Sequence, residues 1–364
     1  MIKILVCLGT RPEAIKMSKI ISELKAKKIF YVKVLSSGQH KEMVSDALRE
    51  LKIKVDYDLK IMKIGQTLFG ITADILNKSE AVIREFLPDI VLVHGDTSTA
   101  FALSLAAFYS KITVAHVESG LRSHDIYNPY PEEFNRAAIA RIAKYHFAPT
   151  ESAKENLVRE GIDEENIFVT GNTVIDVLVD NIDEKYRNPN LPMGDFILLT
   201  AHRRESIPDG LSALFRAVAR IAREFPKVEI VYPIHKNELI RKLAGEILFG
   251  MENVKIIEPL LPHDFHNFLY RCKFVITDSG GIQEESAYLG KPALVVRKCT
   301  ERKELLSYSS IKLVGMGEND VFSEAKKLLE NDEEYRKMSI STKLLGEGDA
   351  SRKIVSELSK LLKK

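Results

Sequence analysis

Three cysteines in 364 residues are too few, too scattered and odd in number for a disulfide framework or a cysteine zinc site. Cys7 and Cys272 stand in or beside apolar runs and read as buried thiols. Cys299 stands apart from both, and a reducing, cytoplasmic setting is expected. Charge of one sign is equally scarce: 53 Lys and Arg against 51 Asp and Glu leave a net +2. That gives no broad basic surface, so nucleic acid is not an expected partner. No apolar run approaches the about 20 residues of a membrane span. The opening "MIKILVCLGTRPE" is too short in apolar residues for a signal peptide's core and lacks a small-residue cleavage site. A membrane partner is therefore not expected. Internal repeats and low-complexity tracts are missing. So are GxGxxG, GxxxxGK[ST] and GxSxG, which argues against a nicotinamide or flavin fingerprint, a P-loop and a nucleophile elbow.

What remains is an ordinary globular composition, 45% apolar and 29% charged. At about 150 residues per domain, the length suggests two domains. Short β-rich runs recur: "IKILVCLG", "YVKVLSS", "DIVLVHG", "ITVAHVE", "YHFAPT", then "FILLTAH", "VEIVYPIH", "VKIIEPL", "FVITDSG" and "PALVVR". Between them lie amphipathic stretches such as "PEAIKMSKIISELKAKK" and "GLSALFRAVARIAREFP", the latter stopped by Pro226. Strand–helix alternation over the whole length predicts parallel sheets covered by helices, an α/β class. The polar stretch 180–195 has two prolines and no apolar period, and reads as a linker between two doubly wound domains. The expected domains are 1–180 and 190–349. A basic amphipathic helix at about 350–364 is expected to pack back on the first.

In open parallel sheets, ligands bind beyond the C-terminal strand ends. The unusual polar residues gather there. "GTRPE", "HGDTST" and "HVESGLR" follow strands of the first domain. "TAHRRES", "PIHKNE" and "TDSGGIQEE" follow strands of the second. Two such rims suggest one cleft between two domains. In the last motif, two glycines stand where a strand ends and a helix begins. Free N–H groups there favour an anion, and the glycines let it come close. Glu284 and Glu285, one turn later, would repel that anion but suit a neighbouring hydroxyl pair. Phosphate beside ribose has that layout; an ordinary glycine turn with two solvated acids has it too. The rims also carry Arg11, Lys16, Arg122, Arg136, His202, Arg203 and Arg204 against Asp96, Glu118, Glu132 and Glu133. A pyrophosphate needs the first set and general acid–base work on a sugar the second. Each pair could instead simply tie two loops together. His116 and Glu118, two apart on a strand, share a face and could form half a metal site. No HExxH or HxE…PCxxC framework supports one.

These motifs, in this order, resemble the non-hydrolysing UDP-N-acetylglucosamine 2-epimerases: "GTRPEAIKM" at 9–17, "HGDT" at 94–97, "HVESGLR" at 116–122, "PEEFNR" at 131–136, "TGNTVID" at 170–176, "TAHRRE" at 200–205, "DSGGIQEE" at 278–285 and "TER" at 300–302. The resemblance implies two Rossmann-like domains facing a central cleft, the glycosyltransferase-B architecture. It also implies interconversion of UDP-GlcNAc and UDP-ManNAc, usually by a homodimer, with neither metal nor nicotinamide as cofactor. It assigns Ser279, Gly280 and Gly281 to the UDP phosphates and Glu285 to the ribose. Arg11 also matches the nucleotide site, with Lys16 nearby. Asp96, Glu118, Glu132, Arg136 and His202 match positions implicated in catalysis. It points to Gln39, His40 and His235 as candidate regulatory residues. Departures are Ser206 for the usual Asn, Lys303 for Pro, Glu42 for Gln, and Gly65 for Arg; the last removes a guanidinium used in substrate activation. Rival readings are the same chemistry on another UDP-2-acetamido sugar, a hydrolysing epimerase, a glycosyltransferase and a catalytically inert nucleotide-sugar sensor.

Overall fold

The structure is a computed structural model that describes residues 1–38, 48–63, 65–201, 209–298, 300, 302–308 and 310–363. The chain forms two compact units. The first comprises Met1–Val177 with Leu345–Lys364, and the second Leu178–Leu344.

The first unit is built on seven parallel strands: β1 (Ile2–Leu8), β2 (Phe30–Ser36), β3 (Tyr57–Asp58), β4 (Ile90–His94), β5 (Thr113–Val117), β6 (Tyr145–Ala148) and β7 (Ile167–Val169). Their order is β3-β2-β1-β4-β5-β6-β7. Its helices are α1 (Arg11–Ala26), α2 (Leu68–Phe86), α3 (Ser98–Tyr109), α4 (Glu132–Ile142), α5 (Glu151–Arg159) and α6 (Thr173–Asn181), which carries the chain into the second unit. Side chains alternate across β1, and that alternation explains its continuous apolar run. Ile4, Val6 and Leu8 join one core with Met17, Ile20 and Leu24 of α1. Leu5 and Cys7 join another with residues of α2 and α3. Burial pushes the Cys7 thiol far up, so it is an inert packing group.

The second unit holds β8 (Phe196–Thr200), β9 (Glu229–Pro233), β10 (Val254–Ile257), β11 (Phe274–Thr277), β12 (Ala293–Val295) and β13 (Ile311–Leu313), in the order β10-β9-β8-β11-β12-β13, also parallel. Its helices are α7 (Asp209–Glu224), α8 (Glu238–Leu248), α9 (Pro262–Arg271), α10 (Gly280–Leu289), α11 (Glu318–Glu330) and α12 (Asp332–Met338). On α7, Leu211, Leu214, Phe215, Val218 and Ile221 recur at helical spacing and are all buried. The segment 180–195, read from sequence as a linker, is bonded into this unit. Asp183 N donates to Asn267 Oδ1 at 3.0 Å, and the buried Tyr186 hydroxyl donates to Asp264 Oδ1 at 2.6 Å. These bonds anchor a segment whose other polar residues mostly face solvent.

The last helix, α13 (Ala350–Leu361), packs on α1. Ile354, Val355 and Leu358 enter the α1 core. The N-terminus of α13 is capped from afar: Asp176 accepts Ala350 N at 3.0 Å and Ser351 N at 2.6 Å. Among the described residues, no helix is long and apolar enough to cross a membrane.

Candidate active site

In each sheet the strand order reverses once, between β1 and β4 in the first and between β8 and β11 in the second. Those reversals are where a doubly wound sheet opens a crevice at its C-terminal edge.

In the first unit, Glu13 braces this edge. It sits at the third helical position after Thr10. Its Oε2 accepts Gly9 N at 3.0 Å and Thr10 N at 2.6 Å, and its Oε1 accepts Thr97 Oγ1 at 2.8 Å. One carboxyl therefore ties the loop bearing Arg11 to the loop bearing Asp96. Burial pushes it up to about 7, although each of those bonds pulls it down. Gly9 permits the close approach, because a Cβ there would overlap the Thr99 side chain.

Glu118 follows the last residue of β5, with φ at +61°, a left-handed conformation unfavourable for a residue with a side chain. The Lys16 ammonium pairs with its Oε2, and Asn172 Nδ2 donates to the same atom at 2.8 Å. His94 Nε2 stands 3.8 Å from it. Burial lowers His94 to about 4, so it faces Glu118 as a neutral ring. Asp96 pairs with the Arg136 guanidinium, which also lies 3.2 Å from Glu133 Oε2. Asn135 Nδ2 donates to Asp96 O at 2.9 Å. Glu132 is half-buried at the first position of α4. Arg11 is half-buried at the start of α1.

Two rim residues do loop-tying work. Arg122 makes a bidentate pair with Glu160, at 2.7 and 2.8 Å. Glu133 Oε1 accepts Ser123 N at 2.9 Å and His124 N at 3.1 Å. His116 and Glu118 do not share a strand face, since the strand ends at Val117. The His116 ring is turned inward, its Nε2 donates to Gly95 O at 2.7 Å, and burial lowers it to about 3. Among the described residues, no group of three or more His, Cys, Asp or Glu could hold a metal ion.

In the second unit, Thr200 and Thr277 join the two strand ends by a 2.7 Å hydroxyl bond. Ser279 is the N-cap of α10, yet its side chain makes no capping bond. A Cβ on Gly280 would overlap the Arg302 guanidinium, whereas one on Gly281 would meet nothing within 4 Å among the described residues. The two glycines thus do different things: one makes room for a cation and the other leaves open space. The two glutamates divide as well. Glu284, 1% exposed, takes Arg302 Nε at 2.8 Å; Glu285, 7% exposed, lies 3.3 Å from His266 Nε2. Neither points freely at solvent.

His202, Gln39 and His40 lie outside the described residues, as do Glu42, Arg203, Arg204 and Ser206. His235 is half-buried at the end of β9, and its Nδ1 accepts Asn237 N at 3.2 Å. Gly65 has φ at +72°, and a Cβ there would meet nothing within 4 Å among the described residues. Sequence reasoning did not single out His94, Asn172, Glu13, Arg302 or His266. Asn172 and Arg302 stood inside quoted motifs, and Thr10-x-x-Glu13 has the spacing of a capping box. His266 carries no such signal, since its helix reads as merely amphipathic.

The family described as UDP-N-acetylglucosamine 2-epimerase matches residues 22–359. The UDP-N-acetylglucosamine 2-epimerase of Bacillus subtilis is 46% identical over 360 residues, covering 98% of this chain and 95% of that one. The UDP-GlcNAc 2-epimerase of Neisseria meningitidis, solved bound to UDP-GlcNAc, superposes with a TM-score of 0.92 at 41% identity, covering 99% of this chain and all of that one. The glycotransferase of kitacinnamycin, 12% identical over 99% of each chain, shares the fold at a TM-score of 0.66. On the family match and these identities, the chain belongs to the UDP-N-acetylglucosamine 2-epimerase family of isomerases.

Proposed function

We propose that this protein interconverts UDP-GlcNAc and UDP-ManNAc by eliminating UDP and adding it back. The observation that carries the reading is Glu118: a carboxylate at a strand end, on left-handed backbone, contacted by an ammonium, an amide and a neutral imidazole. Strained backbone of this kind persists only where its surroundings hold it, and it concentrates at functional sites.

The chemistry explains the need for several carboxylates. The sugar C2 proton is not next to a carbonyl and is barely acidic. Breaking C1–O builds oxocarbenium character, which acidifies C2–H. A base takes that proton, the C1–O electron pair leaves with UDP, and 2-acetamidoglucal remains. Protonation of C2 from the opposite face and re-addition of UDP give the epimer. Asp96, Glu118 and Glu132 are the groups proposed to supply base, acid and charge stabilisation, with Arg136 orienting Asp96 and His202 assisting. Arg11, Lys16, Ser279, Gly280, Gly281 and Glu285 are assigned to UDP. Arg302 joins them as a cation beside the α10 N-terminus. The reading needs no metal or nicotinamide. It includes a homodimer working in the cytoplasm, and weak substrate activation, because Gly65 offers no guanidinium.

The test is NMR of UDP-GlcNAc with the protein in deuterated water containing EDTA. UDP-ManNAc carrying deuterium at C2 is the expected product. Free ManNAc with UDP as the main outcome would place the chain among hydrolysing epimerases. An unchanged spectrum would leave only a binder.

A further inference from the structure

Adjacent glutamates on α10 receive different partners. Glu284 is met by the Arg302 guanidinium, whose Nε donates to its Oε1 at 2.8 Å. Glu285 is met by an imidazole, which offers one N–H. That N–H lies 3.3 Å from Oε1, and Oε2 is buried with no hydrogen-bond partner among the described residues. The ring's orientation is set from behind. Asn181 Nδ2 donates to His266 Nδ1 at 3.0 Å, which leaves the ring proton on Nε2, facing Glu285. The Asn181 backbone is held in place, since its main-chain carbonyl accepts Asn267 Nδ2 at 2.7 Å. Asn267 Oδ1 in turn accepts Asp183 N at 3.0 Å.

A contact that served only to join α9 to α10 would not need this arrangement. Burying a carboxylate with an oxygen unpaired costs free energy, and an apolar pair would join two helices more cheaply. The arrangement makes sense if the remaining oxygen has a partner elsewhere. We propose that His266 is a positioning residue. Backed by Asn181, it occupies one oxygen of Glu285 and reserves the other for a hydroxyl of the nucleotide ribose. This rests on the assignment of Glu285 to the ribose, and it adds the residue that makes that assignment selective for ribonucleotides.

The test uses the full chain and two probes, UDP and 2′-deoxy-UDP, titrated calorimetrically. A hydrogen bond to a charged group gives wild type roughly a 10- to 100-fold preference for UDP. His266→Phe should reduce that preference to less than about threefold, by weakening UDP while 2′-deoxy-UDP binds as before. His266→Gln, whose amide can donate to Oε1, should keep most of the preference. A general packing defect would weaken both probes alike, so the ratio separates positioning from structure. If His266→Phe retains the wild-type ratio, the proposal is overturned. Should that variant bind neither probe, Asn181→Leu decides: a lowered ratio supports the relay and an unchanged one overturns it. Glu285→Ala guards the underlying reading. If it leaves the ratio intact, the ribose lies elsewhere. If it collapses the ratio while His266→Phe does not, the role of His266 alone fails.

Discussion

The two strand-end rims are built on opposite plans. In the first unit, the described carboxylates are engaged by partners from other elements: Glu118 with Lys16 and Asn172, Asp96 with Arg136, and Glu13 with two loops at once. In the second, the start of α10 offers backbone at Gly281, a serine side chain not used for capping, and an oxygen of Glu285 without a partner among the described residues. Charges that must move a proton work best when fixed before the substrate arrives. A diphosphate and a ribose instead need donors and acceptors left unspent. On the proposed assignment, the first rim carries the reacting carboxylates, with Arg11 and Lys16 turned to UDP, and the second rim does most of the holding.

The sharpest way to break this division is to neutralise the first rim and watch both properties. Glu118→Gln and Asp96→Asn keep shape and much of the hydrogen bonding but lose the basic carboxylate. Turnover should fall about 10²–10⁴-fold, while calorimetric UDP affinity stays within about threefold of wild type. A loss of UDP affinity as large as the loss of turnover would mean that these carboxylates serve mainly to hold the nucleotide.

Glu13 probes the bracing itself. Its carboxyl is raised from the ordinary 4.5 to about 7, chiefly by burial. The folded chain therefore binds a proton more tightly than the unfolded chain. The stability this contributes is fully present below pH 4.5 and is lost as pH rises through about 7. Between pH 5 and 8 the loss should be about 2–3 kcal/mol. Glu13→Gln can still accept from Gly9 and Thr10 and contact Thr97, but it cannot titrate. Urea unfolding at both pH values is the measurement. The wild type should lose about that much more stability than the variant on going to pH 8. Equal losses would show that the bonds to the carboxylate outweigh its burial.

Much of this was legible in the sequence because chemistry clusters at strand ends. The apolar runs marked nearly all central strands. Those they failed to mark, β3, β7 and β13, are sheet edges of two or three residues, too short to show a period. Arg122 and Arg136 looked alike as rim cations, yet one is spent on Glu160 and the other on Asp96. Composition cannot tell such pairs apart, because the partner is set by packing across 38 and 40 residues. Asn172 and Asp176 illustrate the same limit. One motif, "TGNTVID", supplies both a bond to Glu118 and the cap of a helix that begins 174 residues later. His266 was invisible for a related reason, since a lone histidine on an amphipathic helix looks the same whether or not it faces a carboxylate.

Three glycines carry the comparison down to single methyl groups. In Gly9→Ala the new Cβ meets the Thr99 side chain, down to its Cβ. A branch so close to the α3 backbone cannot swing aside, and overpacking of this kind costs about 1–3 kcal/mol. The largest loss of stability should come here, in the braced rim. In Gly280→Ala the nearest atoms to the new Cβ belong to the tip of Arg302. The guanidinium can move, but only by leaving the buried Glu284, so the loss should be smaller and should disappear in an Arg302→Ala, Glu284→Gln background. In Gly281→Ala nothing among the described residues within 4 Å is displaced, and alanine is favoured over glycine in a helix by about 0.5–1 kcal/mol. Stability should therefore hold or rise slightly while UDP affinity falls, because a methyl group now stands where backbone and phosphate should meet. Thermal unfolding ranks the three, and UDP titration separates the last from the others. Should Gly281→Ala bind UDP as tightly as wild type, the open space beside α10 is not where the diphosphate sits, and the holding role given to the second rim loses its main support.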